Sequence, residues 1–153
     1  MRPVPHFQTP QPARHDIYSP EKRSEIMSRV RSGDTGPEIR VRKLLHALGF
    51  RYRLHSASLP GKPDIVLPKL KKIIMVHGCF WHQHTNCTKA TLPSTRLEWW
   101  EAKLRRNRAR DRRVVRQLRA LGWSVCVIWE CQTKNTGQVQ TRLLRFLGGN
   151  RNS

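Results

Sequence analysis

The chain has 153 residues and a strongly basic composition, with 30 lysines and arginines against 10 aspartates and glutamates and a formal net charge of +20. This excess predicts a polyanionic partner, most often nucleic acid, because basic groups displace condensed counterions from phosphates. A solvated basic surface is the alternative. The longest aliphatic run, residues 73–76, is far shorter than the ~20 residues of a helical span, so we expect no membrane partner. The four cysteines favour metal binding over disulfides, which predicts a cytoplasmic location.

The beginning of the chain combines a proline-rich stretch with a helical pattern. Residues 1–18 contain four prolines and few apolar side chains, which predicts a disordered tail. Ser19 as N-cap and Pro20 in the first helical position predict a helix over residues 19–30. We expect residues 19–150 to form a single domain, because this length suits one hydrophobic core.

A second helix is predicted over residues 35–49. Thr35 and Glu38 have the spacing of a capping box, and Gly49 ends the periodic pattern. The apolar residues expected to face the core are Ile39, Leu44, Leu45 and Leu48.

The rest of the chain alternates between strand and helix patterns. Strand patterns occupy residues 50–56, 64–68, 72–78 and 123–129. Helical patterns occupy residues 96–122, as one bent helix or two, and residues 138–149. A buried strand, a long helix and another buried strand indicate a crossover connection between parallel strands, which predicts an α/β sandwich.

Asp64 differs from the other carboxylates in its position. It follows the turn "LPGKP" and opens a strand, in a hairpin whose next strand runs into His77. A carboxylate placed there on a basic protein can hold a hard cation between protein and phosphate. Ordinary Pro-Asp turn chemistry is the alternative. The acids of the long helix, Asp111 among them, are interpreted as solvated ion-pair partners.

The segment "HGCFWHQHTNC", residues 77–87, contains three histidines and two cysteines. Histidines interleaved with cysteines favour metal binding over the disulfides of a secreted protein. Cys126 lies in the middle of a strand and is interpreted as a small buried hydrophobe, whereas the chain can turn back toward the loop after the strand. The predicted structural zinc ligands are Cys79, His84, Cys87 and Cys131.

Two histidines of this segment are then left for chemistry. A neutral imidazole suits a general base, so His77 and His82 are candidates for catalysis. The alternative is that His82, rather than His84, binds the zinc.

Five stretches between about residue 22 and residue 131 resemble the very short patch repair endonucleases. They read "MSRVRSGDTGPE", "LPGKPDIVLP", "HGCFWHQH", "TRLEWWEAKLRRNRARDRR" and "GWSVCVIWEC". The resemblance implies a restriction-endonuclease-like fold, a three-layer sandwich with a central mixed β-sheet flanked by helices. It also implies an enzyme that nicks one DNA strand 5′ of a thymine mispaired with guanine, a mispair that arises when 5-methylcytosine deaminates.

The same resemblance implies roles for individual residues. Asp64 matches the magnesium-binding aspartate, His82 the catalytic histidine, and His77 a second histidine of the active site. Glu38 matches an acidic residue implicated in activity, with its capping-box role as an alternative that can hold at the same time. The family's structural zinc ligands match Cys79, His84, Cys87 and Cys131. The spacing between the last two ligands of the loop is one residue longer than the family usually has.

An aromatic pair, Phe80 and Trp81, lies between the candidate metal ligands. In the family that the chain resembles, the matching residues form a wedge that enters the DNA stack, together with a methionine that matches Met27. Unstacking costs a few kcal/mol and is cheapest at a mispair, so such a wedge favours damaged sites. Ordinary core packing is the alternative. Exposed basic residues are expected to hold DNA phosphates, namely Arg105, Arg106 and Arg110.

The expected cofactors are catalytic Mg²⁺ and structural Zn²⁺, and the expected partner is duplex DNA with a T:G mismatch. The resemblance further implies mismatch-repair proteins and a DNA polymerase as functional partners, and a monomeric enzyme associated with the bacterial nucleoid. Two alternatives remain, a site-specific restriction endonuclease and a non-catalytic zinc-stabilised DNA-binding module. The presence of both Asp64 and His82 disfavours the latter. The E-x-K element of many restriction nucleases is absent from residues 72–78, which favours a histidine mechanism.

Overall fold

The structure is a computed structural model that describes residues 19–28 and 33–148. The chain divides after Val30 into two compact units. The predicted tail over residues 1–18 lies outside the described residues, so the division into a tail and one endonuclease domain stays a prediction. No helix in the described part is long and apolar enough to cross a membrane.

The first unit contains helix α1 (Pro20–Ser28). The Lys22 backbone N–H donates to Ser19 Oγ at 3.2 Å, which confirms Ser19 as the N-cap.

The second unit is built on a four-stranded mixed sheet. In chain order its strands are β1 (Arg53–Leu54), β2 (Ile65–Leu67), β3 (Lys72–His77) and β4 (Ser124–Trp129). The same order holds across the sheet, with antiparallel pairing from β1 to β3 and parallel pairing between β3 and β4. The parallel register sets His77 opposite Trp129, so the chain leaves both strands at the same edge of the sheet.

Three helices cover the two faces of this sheet. They are α2 (Gly36–Ala47), α3 (Leu97–Ala120) and α4 (Thr136–Leu147), and short 3₁₀ turns occupy Pro68–Leu70, Thr88–Ala90 and Glu130–Lys134. Helices α2 and α4 pack on one face over residues such as Ile74 and Ile128, and α3 packs on the other over residues such as Ile73 and Met75. The alternation of strand side chains therefore produces two apolar layers, and the predicted α/β sandwich is confirmed.

Helix α2 begins at the predicted N-cap, but the capping box is incomplete. Thr35 caps the helix by accepting from the Glu38 backbone N–H at 3.4 Å. The box is incomplete because the Glu38 carboxylate accepts from the Asp34 backbone N–H instead of the Thr35 N–H.

The buried face of α2 differs in part from the predicted one. Leu45 and Leu48 are buried as predicted, whereas Ile39 is not. Ile39 was expected in the core and is 39% exposed, whereas Val41 is fully buried. The reason is the rotational position of Ile39 on the helix. Val41 lies one turn before the buried Leu45 and so shares its face, whereas Ile39 lies two residues before Val41, on the opposite face.

The predicted strand over residues 50–56 was too long. Only the two residues of β1 pair with β2, because His55 has a φ of +45° and turns the chain. The crossover helix α3, by contrast, forms one uninterrupted helix of 24 residues close to its predicted bounds.

Candidate active site and metal cluster

His82 and Asp111 form a hydrogen-bonded pair beside the end of β3. His82 Nδ1 lies 2.6 Å from Asp111 Oδ2, and the two side chains are 22% and 17% exposed. Burial opposes ionisation of Asp111, but the hydrogen bond and positive charge of His82 outweigh it and lower the pKa of the carboxyl. Asp111 is therefore a carboxylate that accepts the Nδ1–H bond. This leaves Nε2 of His82 as the ring atom that can accept a proton.

His77 stacks on His82. The ring centroids are 3.9 Å apart and the planes differ by 9°. Burial, together with repulsion from His82 and Arg110, lowers the pKa of His77 to about 4, against the opposing effect of the Asp111 carboxylate. His77 is therefore neutral at pH 7, and its Nε2 is buried with no hydrogen-bond partner among the described residues.

Asp64 lies at the start of β2, with its side chain turned to β3. Its Oδ2 accepts from the Val76 backbone N–H at 2.8 Å. Burial raises the pKa of this carboxyl to about 6 against the effect of that hydrogen bond, and the negative charge of Glu38 adds to the rise. The turn before it needs Gly61, which has a φ of +70° and lies so close to Val114 on α3 that a Cβ would clash. This turn therefore sets where Asp64 stands relative to α3.

Glu38 is buried and held by several partners. Its Oε2 accepts from Arg42 Nη2 at 2.8 Å and from the Asp34 backbone N–H at 3.1 Å. Arg42 also donates to Asp34 Oδ1 at 2.7 Å and lies 3.0 Å from His55 Nε2. The His55 backbone N–H donates to the carbonyl of Asp64 at 3.1 Å. Glu38 is therefore tied into the fold and at the same time acts electrostatically on Asp64.

The four predicted zinc ligands come together. The ligand atoms of Cys79, His84, Cys87 and Cys131 all lie within 4.8 Å of one another. Nδ1 of His84 is 3.7 Å from Cys79 Sγ and 3.4 Å from Cys131 Sγ. A tetrahedral site with Zn–S of ~2.3 Å and Zn–N of ~2.1 Å requires S···N distances of about 3.6 Å. The group therefore could hold a metal ion, and His82 is engaged elsewhere, with Asp111.

The ligand loop is fixed by its own backbone and by Gln83. The Gln83 side-chain amide donates to the carbonyls of Phe80 at 2.7 Å and Ala90 at 3.3 Å. Asn86, within the longer His84–Cys87 spacing, takes a φ of +56°, a conformation that asparagine tolerates better than most residues. The extra residue is therefore accommodated without separating the ligands.

Trp129 connects the metal cluster with the histidine pair. Its ring stacks on His84 with centroids 4.3 Å apart and meets His77 edge-on at 5.4 Å. The orientation of the metal-binding loop and that of the candidate catalytic rings therefore depend on the same side chain.

Phe80 and Trp81 pack with an aromatic group at the start of α3. Phe80 lies 5.1 Å from Trp81 and 5.3 Å from Trp100, centroid to centroid, and Trp99 meets Trp100 edge-on at 4.8 Å. The Lys103 ammonium lies 5.7 Å from the Trp81 ring centre. These rings form a surface group that is only partly buried, unlike a core cluster, and Trp99 is 39% exposed. Met27 lies in α1, and its side chain falls outside the described part of the chain.

Two residues of this site were not predicted. Asp111 looked like a solvated acid because arginines surround it in sequence, and its pairing with His82 depends on the rotational phase of α3. Trp100 lies within the predicted long helix and was assigned no role, yet it contacts the loop aromatics. The predicted phosphate ligands Arg105, Arg106 and Arg110 are all exposed on α3.

Comparison with known proteins gives a consistent result. The family model described as DNA mismatch endonuclease Vsr matches residues 15–89. The type II nicking enzyme V.XorIIP of Xanthomonas oryzae pv. oryzae (strain KACC10331 / KXO85) is 48% identical over 132 residues, covering 86% of this chain and 96% of that protein. DNA mismatch endonuclease Vsr of Escherichia coli (strain K12) is 41% identical over 116 residues, covering 76% of this chain and 74% of that protein.

A solved structure shares the fold. The catalytic domain of the homing endonuclease I-Bth0305I superposes with a TM-score of 0.52 at 20% identity, covering 74% of this chain and 94% of that chain. The expected nuclease-like α/β fold is thereby confirmed. Together with the family match and the identity to the two enzymes above, this establishes that the chain is a DNA endonuclease of the Vsr family of DNA mismatch endonucleases.

Proposed function

We propose that this chain nicks the thymine-containing strand of T:G mispairs on the 5′ side of the thymine, and so begins very short patch repair of deaminated 5-methylcytosine. The observation that carries the proposal is the hydrogen-bonded pair of His82, on the ligand loop, and Asp111, on α3, with the buried Asp64 close enough for His82 to act on its charge. The same loop carries Phe80 and Trp81. The candidate general base and the candidate wedge residues are then carried by one loop. Mismatch-repair proteins and a DNA polymerase would act after the nick, and the enzyme would act as a monomer.

Asp64 suits a magnesium ion. One carboxylate oxygen accepts a backbone hydrogen bond from Val76, which orients the group and leaves the other oxygen for a ligand. Burial and the negative charge of Glu38 make this an environment in which a cation replaces a proton. Magnesium in phosphate-processing sites is bound by one or two carboxylates together with substrate phosphates. When bound there, it would stabilise negative charge on the scissile phosphate.

The histidine pair supplies the proton chemistry. Nε2 of His82 would take a proton from the attacking water, and Asp111 would stabilise the resulting imidazolium through Nδ1. His77 keeps the His82 ring in place by stacking. Because His77 stays neutral, it can stack on His82 without repelling the imidazolium that forms.

Zinc is the metal that the group of three cysteines and one histidine fits best, because all four ligands are the soft or borderline donors of closed structural sites. We assign it a structural role. It would anchor the loop so that Phe80 and Trp81 face the DNA while His82 faces the scissile bond.

Magnesium binding should depend on pH through Asp64. A carboxyl whose pKa is raised to about 6 is protonated below that pH and cannot bind the cation, so magnesium affinity should fall about tenfold per pH unit below ~6. Calorimetric titration of magnesium into the protein across this range measures the effect. Asp64→Asn should remove both the binding and its pH dependence. An affinity that stays constant as the pH falls from about 7 to about 5 would show that Asp64 is not the ligand.

Trp81→Ala should reduce the preference for a T:G duplex over the matched duplex by about 1–3 kcal/mol, the usual value of one base–aromatic stack. Trp81→Phe should keep part of it. Trp123→Ala is the matched control, since this tryptophan lies beyond the other end of α3. Binding of all variants to T:G and T:A duplexes gives the preference. Wild-type discrimination by Trp81→Ala, accompanied by lower thermal stability, would assign the ring to packing.

The nicking rate on four substrates tests the proposed function itself. With magnesium present, a T:G duplex should be nicked far faster than its T:A and C:G parents or single-stranded DNA. Equal rates on the T:G and T:A duplexes would point instead to a site-specific endonuclease.

A further inference from the structure

Helix α3 carries a stripe of exposed arginines along one side. Its members, Arg108, Arg112, Arg116 and Arg119, are spaced four, four and three residues apart, so they share one face of the helix. We call them the arginine stripe. All four line a single cavity of about 590 Å³.

The cavity forms a groove that leads away from the catalytic pair. His77, His82 and Asp111 contribute to its lining, and the apolar side chains of Val115 and Val127 lie along it. Arg119 is eight residues beyond Asp111 on α3, about 12 Å at 1.5 Å per residue. The stripe therefore begins beside the proton-accepting site and continues well past it.

No acidic residue in the described part of the chain neutralises this stripe. None of its members has a carboxylate within 4.0 Å among residues 33–148. The carboxylate that lines the groove, Asp111, is already bound by His82. Like charges three and four residues apart on a helix repel one another, so four unneutralised guanidinium groups favour an anion supplied by another molecule.

The spacing of the stripe fits a nucleic acid backbone. From Arg108 to Arg119 the helix rises about 16 Å, and successive phosphates of one B-form strand advance 3.4 Å along the duplex axis. The stripe therefore matches about five nucleotides. Arginine also forms paired hydrogen bonds to phosphate oxygens, and all four stripe side chains are exposed with no hydrogen-bond partner among residues 33–148.

We propose that the arginine stripe binds the phosphates of about five nucleotides on one side of the scissile bond and guides that strand to His82. The assignment of the scissile bond to His82 rests on the proposed function, whereas the stripe itself is a binding site for duplex backbone of any sequence. The phosphate ligands predicted from sequence, Arg105, Arg106 and Arg110, do not line the groove.

Salt dependence of binding to a fully matched duplex tests the stripe. Arg116→Ala should weaken binding and lower the slope of log K against log salt by about one, the value for one lost phosphate contact. The double variant Arg112→Ala, Arg116→Ala should lower this slope by about two. Arg113→Ala is the matched control, because Arg113 is exposed on the same helix but does not line the groove. Equal slopes for Arg116→Ala and Arg113→Ala would overturn the proposal.

Shortened duplexes test whether the bound strand runs from His82 along the arginine stripe toward Arg119. Arg119→Ala should weaken binding to a long T:G duplex but have no effect on one that ends about two base pairs past the scissile bond on the stripe side, short of the ~16 Å stripe. Shortening the opposite side should leave the effect in place. If Arg119→Ala weakens binding to all three duplexes equally, the strand does not follow the stripe.

The proposed arginine stripe and the proposed T:G nicking activity can be refuted independently of each other. Binding to matched DNA requires no nicking, so the stripe can be confirmed even if T:G nicking is absent. Conversely, normal T:G nicking combined with unchanged salt slopes in the stripe variants would refute the stripe alone.

Discussion

We expect His82→Ala to lower the single-turnover nicking rate by about 10²–10⁴-fold, the usual contribution of a positioned general base. Asp64→Ala should abolish nicking, because it removes the carboxylate proposed to hold magnesium. Both variants should bind DNA nearly as well as the wild type, since neither removes a phosphate-binding cation or a wedge residue. Rates measured at saturating enzyme and magnesium separate the chemical step from binding.

Asp111→Asn is the sharper test of the pair. An asparagine amide has nearly the same shape but can donate toward Nδ1, which favours the histidine tautomer whose Nε2 carries the proton. The rate should therefore fall close to that of His82→Ala while the fold is kept. Glu101→Gln, an exposed acid on the same helix, is the matched control and should retain the wild-type rate. A wild-type rate in Asp111→Asn would show that Asp111 does not orient or stabilise His82 during nicking.

The second large effect concerns zinc. Cys131→Ala should lose the metal and most of the folding stability, because apparent zinc binding free energies in structural sites, about 10–16 kcal/mol, are as large as the net stability of a domain. The loop that carries His82 should lose its fixed position, and nicking should disappear with it. Metal analysis and thermal unfolding of the purified variant measure both effects.

Cys126→Ala is the control for that experiment. Cys126 is also buried, at 8% exposure, but it packs in the core between the sheet and the α2–α4 layer. Its removal should cost about 1 kcal/mol and leave one zinc per chain. Full zinc content in Cys131→Ala would contradict the ligand set.

The metal cluster was predictable because its geometry follows from strand register. Three ligands lie within the loop after β3, where their spacing is visible. The fourth, Cys131, is distant in sequence, but His77 is paired with Trp129 in parallel register. Residues two positions beyond each strand, Cys79 and Cys131, must then emerge side by side. From sequence, the position of Cys131 after a buried strand made it a candidate, although spacing alone does not predict so distant a ligand, and the family resemblance implied the full set.

The partners of the site on α3 were not predictable in the same way. Asp111 faces His82 only because α3 has one particular rotation against the sheet, which is set by Val114 and Leu118 packing on Ile73 and Met75. The arginines on either side of Asp111 in the sequence do not indicate which way the helix is rotated. The same limit explains Ile39, whose position relative to the buried stripe of α2 was misjudged by half a turn.

The most direct test of the central claim is to map the cleaved bond on a T:G duplex labelled in turn on each strand. We expect one magnesium-dependent product, cut immediately 5′ of the mispaired thymine on that strand alone, and from His82→Ala the same product about 10²–10⁴-fold more slowly. Cleavage of both strands, or the same product from the matched T:A duplex, would contradict it.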